Sequence, residues 1–272
     1  MMKKKKPWIS IILLGAILFC CLFAELLMTK DPTYLDLNHY NVAPNKEFLF
    51  GTDTLGRDIF SGIWYGGRIS ISIGFLATII STGIAIIYGS ISGFAPAWVD
   101  SLLMRFTELF LSVPGLLLVL FLQAILGEAN VVTLSIVIGC TSWASIAKVV
   151  RAEVLQIRNS EYVTAARLMG GGFFYILRKH MLPNFVSAIM FMVVMNIRGA
   201  IVSESTLSFI GMGLPLEIIS WGSMLSLAEK ALLTKSWWII LIPGLFLVTL
   251  LMCLTNIGDY LRNEGNHSEN NL

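Results

Sequence analysis

Charged residues are scarce in this chain. They make up 13% of its 272 residues, against about a quarter in an average soluble domain, while hydrophobic residues make up 56%. The net charge of +2 is small, and no basic stripe with interleaved aromatic residues marks a nucleic-acid surface. The composition therefore predicts a protein that lies in a lipid bilayer and has no nucleic-acid partner.

Motifs for chemistry are also missing. The sequence has no GxxxxGK[ST] loop to hold nucleotide phosphates and no convincing pair of nucleophile and base. We therefore expect a chain that is not an enzyme and binds no cofactor. The cysteines lie in apolar runs without a CxxC pair and the histidines are scattered, which predicts neither disulfides nor a metal site: Cys20, Cys21, Cys140 and Cys253; His39, His180 and His267.

Long apolar runs predict an all-α, polytopic membrane protein. A spanning helix needs about 20 mostly apolar residues. Six stretches meet or approach this length, near residues 8–28, 69–94, 102–127, 131–149, 185–209 and 237–260. Pro114 interrupts the third stretch, but neighbouring helices can satisfy backbone groups freed by a proline, so we expect it to span as well.

The distribution of Lys and Arg predicts the orientation. Lys3–Lys6 precede the first span, and a second basic group lies between the fourth and fifth spans. The positive-inside rule places both groups, and hence both termini, in the cytoplasm. A cleaved signal peptide is the alternative for the N-terminus, although the segment AELLMTK has no clear small-x-small cleavage site.

These spans divide the chain into three parts. Residues 1–68 hold the first span and an external segment, and residues 69–262 form the core. The core includes a cytoplasmic segment at 150–183, and residues 263–272 form a polar tail.

A charged segment with three glycines interrupts the apolar runs: EYVTAARLMGGGFFYILRKHMLPN, residues 161–184. Ser160 is placed to cap a helix that begins at Glu161, and Gly170 opens a run of residues that permit a sharp turn. A second short helix from about Phe173 would lead to Pro183, at the start of the fifth span. The pattern predicts a compact helix-turn-helix outside the membrane.

Four blocks of the sequence resemble a known family. Residues 164–166 (TAA), Gly170 and residues 182–183 (LP) are similar to the EAA signature of ABC importer permeases, with Thr164 in place of the usual Glu and His180 in place of the usual Ile. Residues 51–71, 98–118 and 204–225 resemble the second permease subunit of dipeptide, oligopeptide and nickel importers.

The resemblance implies a type I ABC importer permease fold in the cell membrane. It also implies a second permease subunit, two ATPase subunits that bind ATP and Mg²⁺, and an extracytoplasmic binding protein. It assigns coupling to the ATPases to one set of residues: Glu161, Thr164, Ala165, Ala166, Gly170, His180, Leu182 and Pro183.

Ionisable residues inside predicted spans are the second group of candidates, because each needs a partner, a cavity or access to the interface. Arg198 lies roughly 22 Å along the fifth span and would line the pathway or brace helices, while Glu204 near the outer mouth is more readily a structural residue. Arg105 and Glu108 share a helical face and would form a gate or a packing contact.

The external segments offer candidate contacts to a binding protein: Asp53, Arg57, Asp58 and Trp221. A capped interfacial helix that seals the outer mouth is the alternative. For the whole chain, a secondary transporter or a membrane scaffold remain alternatives, although the first would need an internal repeat and midplane coupling residues that are not evident, and the second has no reason for residues 161–184. Peptides are favoured as cargo over nickel or metal chelates, because no His- or Cys-rich lining is present.

Overall fold

The computed structural model describes the backbone of residues 6–269, and all side chains in that range except those of residues 184, 187, 229, 230 and 264–269. Within this range the chain is helical and contains no strand, only one isolated bridge between Thr52 and Asp58. The helices are α1 (Trp8–Leu22), α2 (Ala24–Leu27), α3 (Ile59–Phe94), α4 (Ala97–Ser112), α5 (Gly115–Leu126), α6 (Val131–Thr141), α7 (Ala144–Ile157), α8 (Glu161–Leu168), α9 (Phe173–Ile176), α10 (Leu182–Phe209), α11 (Trp221–Leu225), α12 (Ala228–Leu233) and α13 (Trp238–Glu269). A 3₁₀ turn spans Leu37–His39 and a π-helical segment spans Leu177–Met181.

Three helices are long and apolar enough to cross a membrane: α3, α10 over Ala188–Phe209, and α13 over Trp238–Asn263. Two bent helix pairs, α4 with α5 and α6 with α7, have the same apolar length and would each count as one broken span or as a re-entrant loop. The first predicted span is the shorter apolar helix α1, of 15 residues. Length and composition thus give three to five spans among the described residues, and the count of six stays a prediction.

The third predicted span is not the continuous helix that we expected over 102–127. It breaks between Ser112 and Gly115, and its two parts meet at 88°. Pro114 has no N–H to donate, and it favours the extended backbone that Val113 adopts, with φ −86° and ψ 131°. Neighbouring helices therefore do not straighten the chain across this proline.

Two other boundaries differ from the expectation. Helix α3 begins at Ile59, ten residues before the predicted start, because the Asp58 carboxylate accepts from the Ser61 N–H and caps it. The proposed boundary between residues 68 and 69 therefore falls within a continuous helix. Helix α13 likewise runs on to Glu269, through the start of the predicted tail at residue 263.

Helix α3 is the centre of the bundle and packs against α1, α6, α7 and α10. The contact with α7 depends on two glycines spaced as GxxxG. A Cβ on Gly89 would lie 2.5 Å from the Ala147 carbonyl oxygen, and one on Gly93 would lie 2.6 Å from Val154 Cγ1. Small residues allow such close backbone approach between helices in membranes.

The bundle has two distinct ends. Residues 29–58 and 210–237 form loops and short helices beside the start of α3, and we call them the cap. Residues 161–181 lie beside the other end of α3, and we call them the hairpin. Phe94, the last residue of α3, contacts Phe173 of the hairpin with ring centroids 5.4 Å apart. Cap and hairpin thus lie at opposite ends of a helix of 36 residues, roughly 54 Å long.

Candidate coupling site and membrane charges

The hairpin is the helix-turn-helix that the sequence predicts. Helix α8 begins at Glu161 after Ser160, as expected, but the Ser160 hydroxyl makes no hydrogen bond to a described residue and so does not cap the helix. The turn follows a Schellman pattern, in which Gly171 N–H donates to the Ala166 carbonyl and Gly170 N–H to the Arg167 carbonyl, both over 2.9 Å. Gly170 has φ +84°, in the left-handed region that favours glycine.

The second arm of the hairpin continues into α10 without a break. Helix α9 passes into the π-helical segment Leu177–Met181 and then into α10, where Pro183 stands in the first turn. A proline lacks the N–H for a regular helical bond, and insertion of a wider turn is one way to accommodate this. A displacement of the hairpin would therefore be transmitted directly along α10.

The inner face of the hairpin shares a hydrophobic core with the spanning helices. Val163, Ala166 and Ile176 are at most 3% exposed, and they belong to one cluster with Val150 and Val154 of α7. The same cluster includes Ala85 of α3 and Phe185 of α10. Burial of these side chains fixes the hairpin as a rigid projection of the helix bundle.

Aromatic contacts also hold the hairpin to the bundle and its two arms to each other. The Arg167 guanidinium lies 4.5 Å from the ring centroid of Phe94, which joins α8 to the end of α3. His180 has Tyr162 and Tyr175 as neighbours, with ring centroids 6.2 and 5.8 Å away. His180 thus connects α8 to α9 across the hairpin.

The outer face of the hairpin is exposed and apolar at its tip. Leu168, Met169 and Phe174 are 85%, 82% and 73% exposed. Arg167, Arg178 and Lys179 are also exposed and make the hairpin basic. The other predicted coupling residues are distributed around the hairpin, with Glu161, Thr164, Ala165 and Pro183 exposed, Ala166 buried, and His180 and Leu182 partly buried.

An ion pair near the hairpin end of the bundle was not identified from the sequence. Arg151 of α7 donates to Asp100 of α4 from Nε and Nη2, each over 2.5 Å, and Ser92 of α3 donates to the same carboxylate over 2.6 Å. Three helices thus meet at one carboxylate. The sequence signal that could have indicated this ion pair is Asp100 in the first turn of an apolar helix, because an acidic residue there needs a partner.

Glu204 of α10 is fully buried and surrounded by serines. Its carboxylate accepts hydrogen bonds from Ser70, Ser205, Ser208 and Ser220, over 2.7 to 3.3 Å. These contacts join α10 to α3 and to the cap, and the structural role favoured for Glu204 stays a prediction. No local sequence signal predicts that its partners are four hydroxyl groups.

Arg198 is exposed on α10, and no described side chain pairs with it. It lines a cavity of about 280 Å³ together with residues of α13. Arg198 and Glu204 lie on different faces of α10, as their spacing of six residues predicts, since Arg198 is exposed and Glu204 is buried.

Arg105 and Glu108 do not form an ion pair with each other. Glu108 lies 3.8 Å from Lys148 of α7, and these side chains are 65% and 40% exposed. Arg105 is exposed on α4. The two residues predicted to form a gate or a packing contact therefore do different things in this chain. Glu108 makes a loose contact to α7, and Arg105 is exposed.

The four candidate contacts to a binding protein lie inside the cap rather than on its surface. Asp53 and Arg57 form an ion pair of 2.8 Å with side chains only 8% and 6% exposed, and Arg57 also donates to the Leu216 carbonyl over 3.0 Å. Asp58 caps α3, and Trp221 is buried with its Nε1–H donating to the Ile63 carbonyl. Their polar groups hold the two segments of the cap to each other and to α3, as the alternative of a sealed cap would require, and that alternative stays a prediction.

These features define the class of protein: a helical, multi-pass membrane protein with a rigid hairpin at one end. The fold agrees with a chain from inward-facing structures of the MetNI methionine ABC transporter, with a TM-score of 0.59 and 16% identity over 75% of this chain and 95% of that chain.

The sequence comparisons show the family. Residues 85–263 match the family described as binding-protein-dependent transport system inner membrane component. The chain is 37% identical over 226 residues to the dipeptide transport system permease protein DppC of Bacillus subtilis, covering 83% of this chain and 70% of that protein. It is 35% identical over 258 residues to the oligopeptide permease OppC of the same organism, covering 95% and 84%.

The chain therefore belongs to the family of binding-protein-dependent transport system inner membrane components, and it is a permease subunit of an ABC importer rather than an enzyme. The resemblance found in the four sequence blocks is confirmed. The type I permease fold and the location in the cell membrane are confirmed with it.

Proposed function

We propose that this chain is one of two permease subunits of an ATP-driven importer of peptides. Peptides are supported as cargo because the relatives with 35% to 37% identity are named as dipeptide and oligopeptide permeases. Among the described side chains, no group of three or more His, Cys, Asp and Glu residues could hold a metal ion. Peptide cargo is therefore preferred to nickel or a metal chelate.

Two ATPase subunits would bind ATP and Mg²⁺, and one of them would dock on this hairpin, while this chain binds no cofactor. The observation that carries this proposal is the contrast between the two faces of the hairpin. Its inner face is packed into α3, α7 and α10, and its tip exposes Leu168, Met169 and Phe174. Exposed apolar patches of this kind mark interaction sites. A partner that moves the tip would move three spanning helices with it, as rigid-body gating requires.

The hairpin and both termini would lie in the cytoplasm. Asn256 of α13 donates to Ser10 of α1 over 3.0 Å, and residue 256 is on the half of α13 farther from the cap. This contact supports a position of the N-terminus at the hairpin end. The basic residues Lys3–Lys6 and the basic hairpin would then share one side, in agreement with the positive-inside rule.

The cap would face the substrate-binding protein that the family name implies. Because Asp53, Arg57, Asp58 and Trp221 are buried, the direct contacts would come from exposed cap residues around them. Tyr34, Leu37 and Tyr40 are 66%, 70% and 61% exposed, and aromatic residues are enriched in protein interfaces.

The docking of the ATPases can be tested by purification of the tagged chain expressed with the genes that neighbour its own. We expect ATPase subunits to co-purify with the wild type and to be lost from the Leu168→Asp/Met169→Asp variant, since a charge on an exposed tip disturbs docking without disturbing the core. Leu233→Asp is the matched control, because Leu233 is 83% exposed but lies in the cap. Equal ATPase recovery with the tip variant would refute docking at the hairpin, and absence of an ATPase from every sample would refute the importer assembly.

A further inference from the structure

Arg198 lies in the middle of a membrane-spanning helix, on the exposed side of α10. It is 15 residues after Pro183 and 11 before Phe209, or roughly 22 Å and 16 Å from the two ends along the helix axis. Met190 and Val202 lie on the same exposed side. The arginine is thus a single cation on an apolar helix face, far from both ends.

The surroundings of Arg198 leave its charge uncompensated. The cavity beside it has an apolar wall of Val248, Leu251 and Met252 and is completed by Thr255 and Asn256. The Thr255 hydroxyl donates to the Leu251 carbonyl over 2.7 Å, and the Asn256 amide donates to Ser10. No carboxylate among the described side chains lies within ion-pair distance of Arg198.

Direct exposure of this side chain to lipid is unfavourable. An arginine at the centre of a spanning helix is costly to insert, and the distance to either end is too great for the side chain to reach the interface easily. Two other arginines, Arg57 of the cap and Arg151 of α7, each have an aspartate within 2.8 Å. Arg198 therefore needs an anion from outside this chain, or a water-filled path.

We propose that Arg198 binds the C-terminal carboxylate of the peptide as it crosses the membrane. This inference rests on the proposed function. Every linear peptide with a free C-terminus carries this carboxylate whatever its side chains are, so one guanidinium can recognise peptides of diverse sequence. The planar guanidinium matches a carboxylate in a bidentate geometry. The apolar wall of the cavity tolerates side chains of different shape, because apolar contact is non-directional.

The test uses the complete importer in proteoliposomes, with trialanine and trialanine amide as probes. The two probes differ in the charge of the C-terminus. The measured quantity is the ratio of trialanine uptake to trialanine amide uptake. The affinity of the binding protein for each probe is measured separately, and the uptake ratio is divided by the ratio of these affinities. Because hydrogen bonds to charged groups contribute about 1.5–3 kcal/mol, we expect the wild type to favour trialanine by about tenfold or more.

Arg198→Gln is expected to abolish this preference, while Arg198→Lys, which keeps the charge, retains part of it. Val202→Ala, one turn further on the same face, is expected to retain it fully. An unchanged ratio in Arg198→Gln, or no preference in the wild type, overturns the inference.

Loss of the second permease subunit from the Arg198→Gln complex, with the ratio unchanged in the complexes that remain, overturns it as well. The counter-charge would then be a side chain of that subunit. A wild-type importer that takes up neither probe when ATP is supplied refutes the proposed peptide import itself, and the inference falls with it.

Discussion

Ser220 and Glu204 are joined by a hydrogen bond of 2.7 Å, which connects the first residue before α11 to the buried carboxylate of α10. The Ser220 hydroxyl also accepts the Ser223 N–H over 3.0 Å, so its single hydrogen is left for Glu204. Ser208 is held in the same way, since it accepts the Leu214 N–H and donates to Glu204. An ionised carboxylate has no hydrogen to donate, so Glu204 acts only as an acceptor. The serines that donate to it therefore hold the cap in one orientation relative to α10.

Replacement of Glu204 is therefore expected to loosen the cap. In Glu204→Leu, buried serine hydroxyls lose their acceptor, and we expect a loss of roughly 2–5 kcal/mol in the free energy of unfolding. Glu204→Gln, which keeps one acceptor oxygen, should lose less. Thermal unfolding in detergent measures both, with Glu128→Gln as a control because Glu128 is exposed at the same end of the bundle. Equal midpoints for Glu204→Leu and the control would show that the serines need no acceptor.

The contact of Asp100 with Arg151 is expected to show strong energetic coupling. Its side chains are 15% and 29% exposed, and Ser92 donates to the same carboxylate. We expect a coupling energy of about 1–3 kcal/mol from a double-mutant cycle with Asp100→Asn and Arg151→Gln.

The matched control for this cycle is the pair Glu108 and Lys148, which joins the same two helices. It is 3.8 Å long and its side chains are 65% and 40% exposed. Exposed pairs of this kind contribute about 0–1 kcal/mol. Coupling energies of equal size in the two cycles would contradict the assignment of Asp100 as the contact that holds α3, α4 and α7 together.

The sequence was sufficient for the long helices and for the hairpin, because apolar runs of spanning length and a glycine turn are local signals. It failed where the outcome depended on contacts between distant segments. The sequence left Asp53 and Arg57 open between a contact to a binding protein and a sealed cap, because their burial depends on the Leu216 carbonyl, 159 residues from Arg57, which accepts from Arg57. The 88° bend at Pro114 was missed because nothing local shows whether neighbouring helices will straighten a proline break.

The packing of α3 on α7 depends on the absence of a side chain at Gly89. A Cβ there would meet the Ala147 backbone oxygen at 2.5 Å, so Gly89→Ala must separate the helices. We expect a loss of about 1–3 kcal/mol, as is usual when a packed interior is overfilled. Gly83→Ala on the same helix is the control, because its Cβ would meet no atom within 4 Å. That variant should be neutral or more stable by about 0.5–1 kcal/mol, since alanine favours a helix over glycine.

The hairpin offers a sharp test of ATPase coupling, because two nearby glycines differ in backbone conformation: Gly170 is left-handed in the turn and Gly172 is the extended residue that precedes α9. Neither a Cβ at Gly170 nor one at Gly172 would meet an atom within 4 Å, but Gly170 has φ +84° whereas Gly172 has φ −73°. A left-handed backbone disfavours residues with a Cβ by about 1–2 kcal/mol, so Gly170→Ala should distort the turn and Gly172→Ala should not. We expect Gly170→Ala to lower peptide uptake per ATP hydrolysed by several-fold in proteoliposomes, with Gly172→Ala at the wild-type ratio. Because the strain is confined to the turn, thermal stability of the spanning bundle should change little in either variant. An equal ratio for both variants would mean that the shape of the turn does not matter for transmission, and the hairpin would then act only as an attachment point.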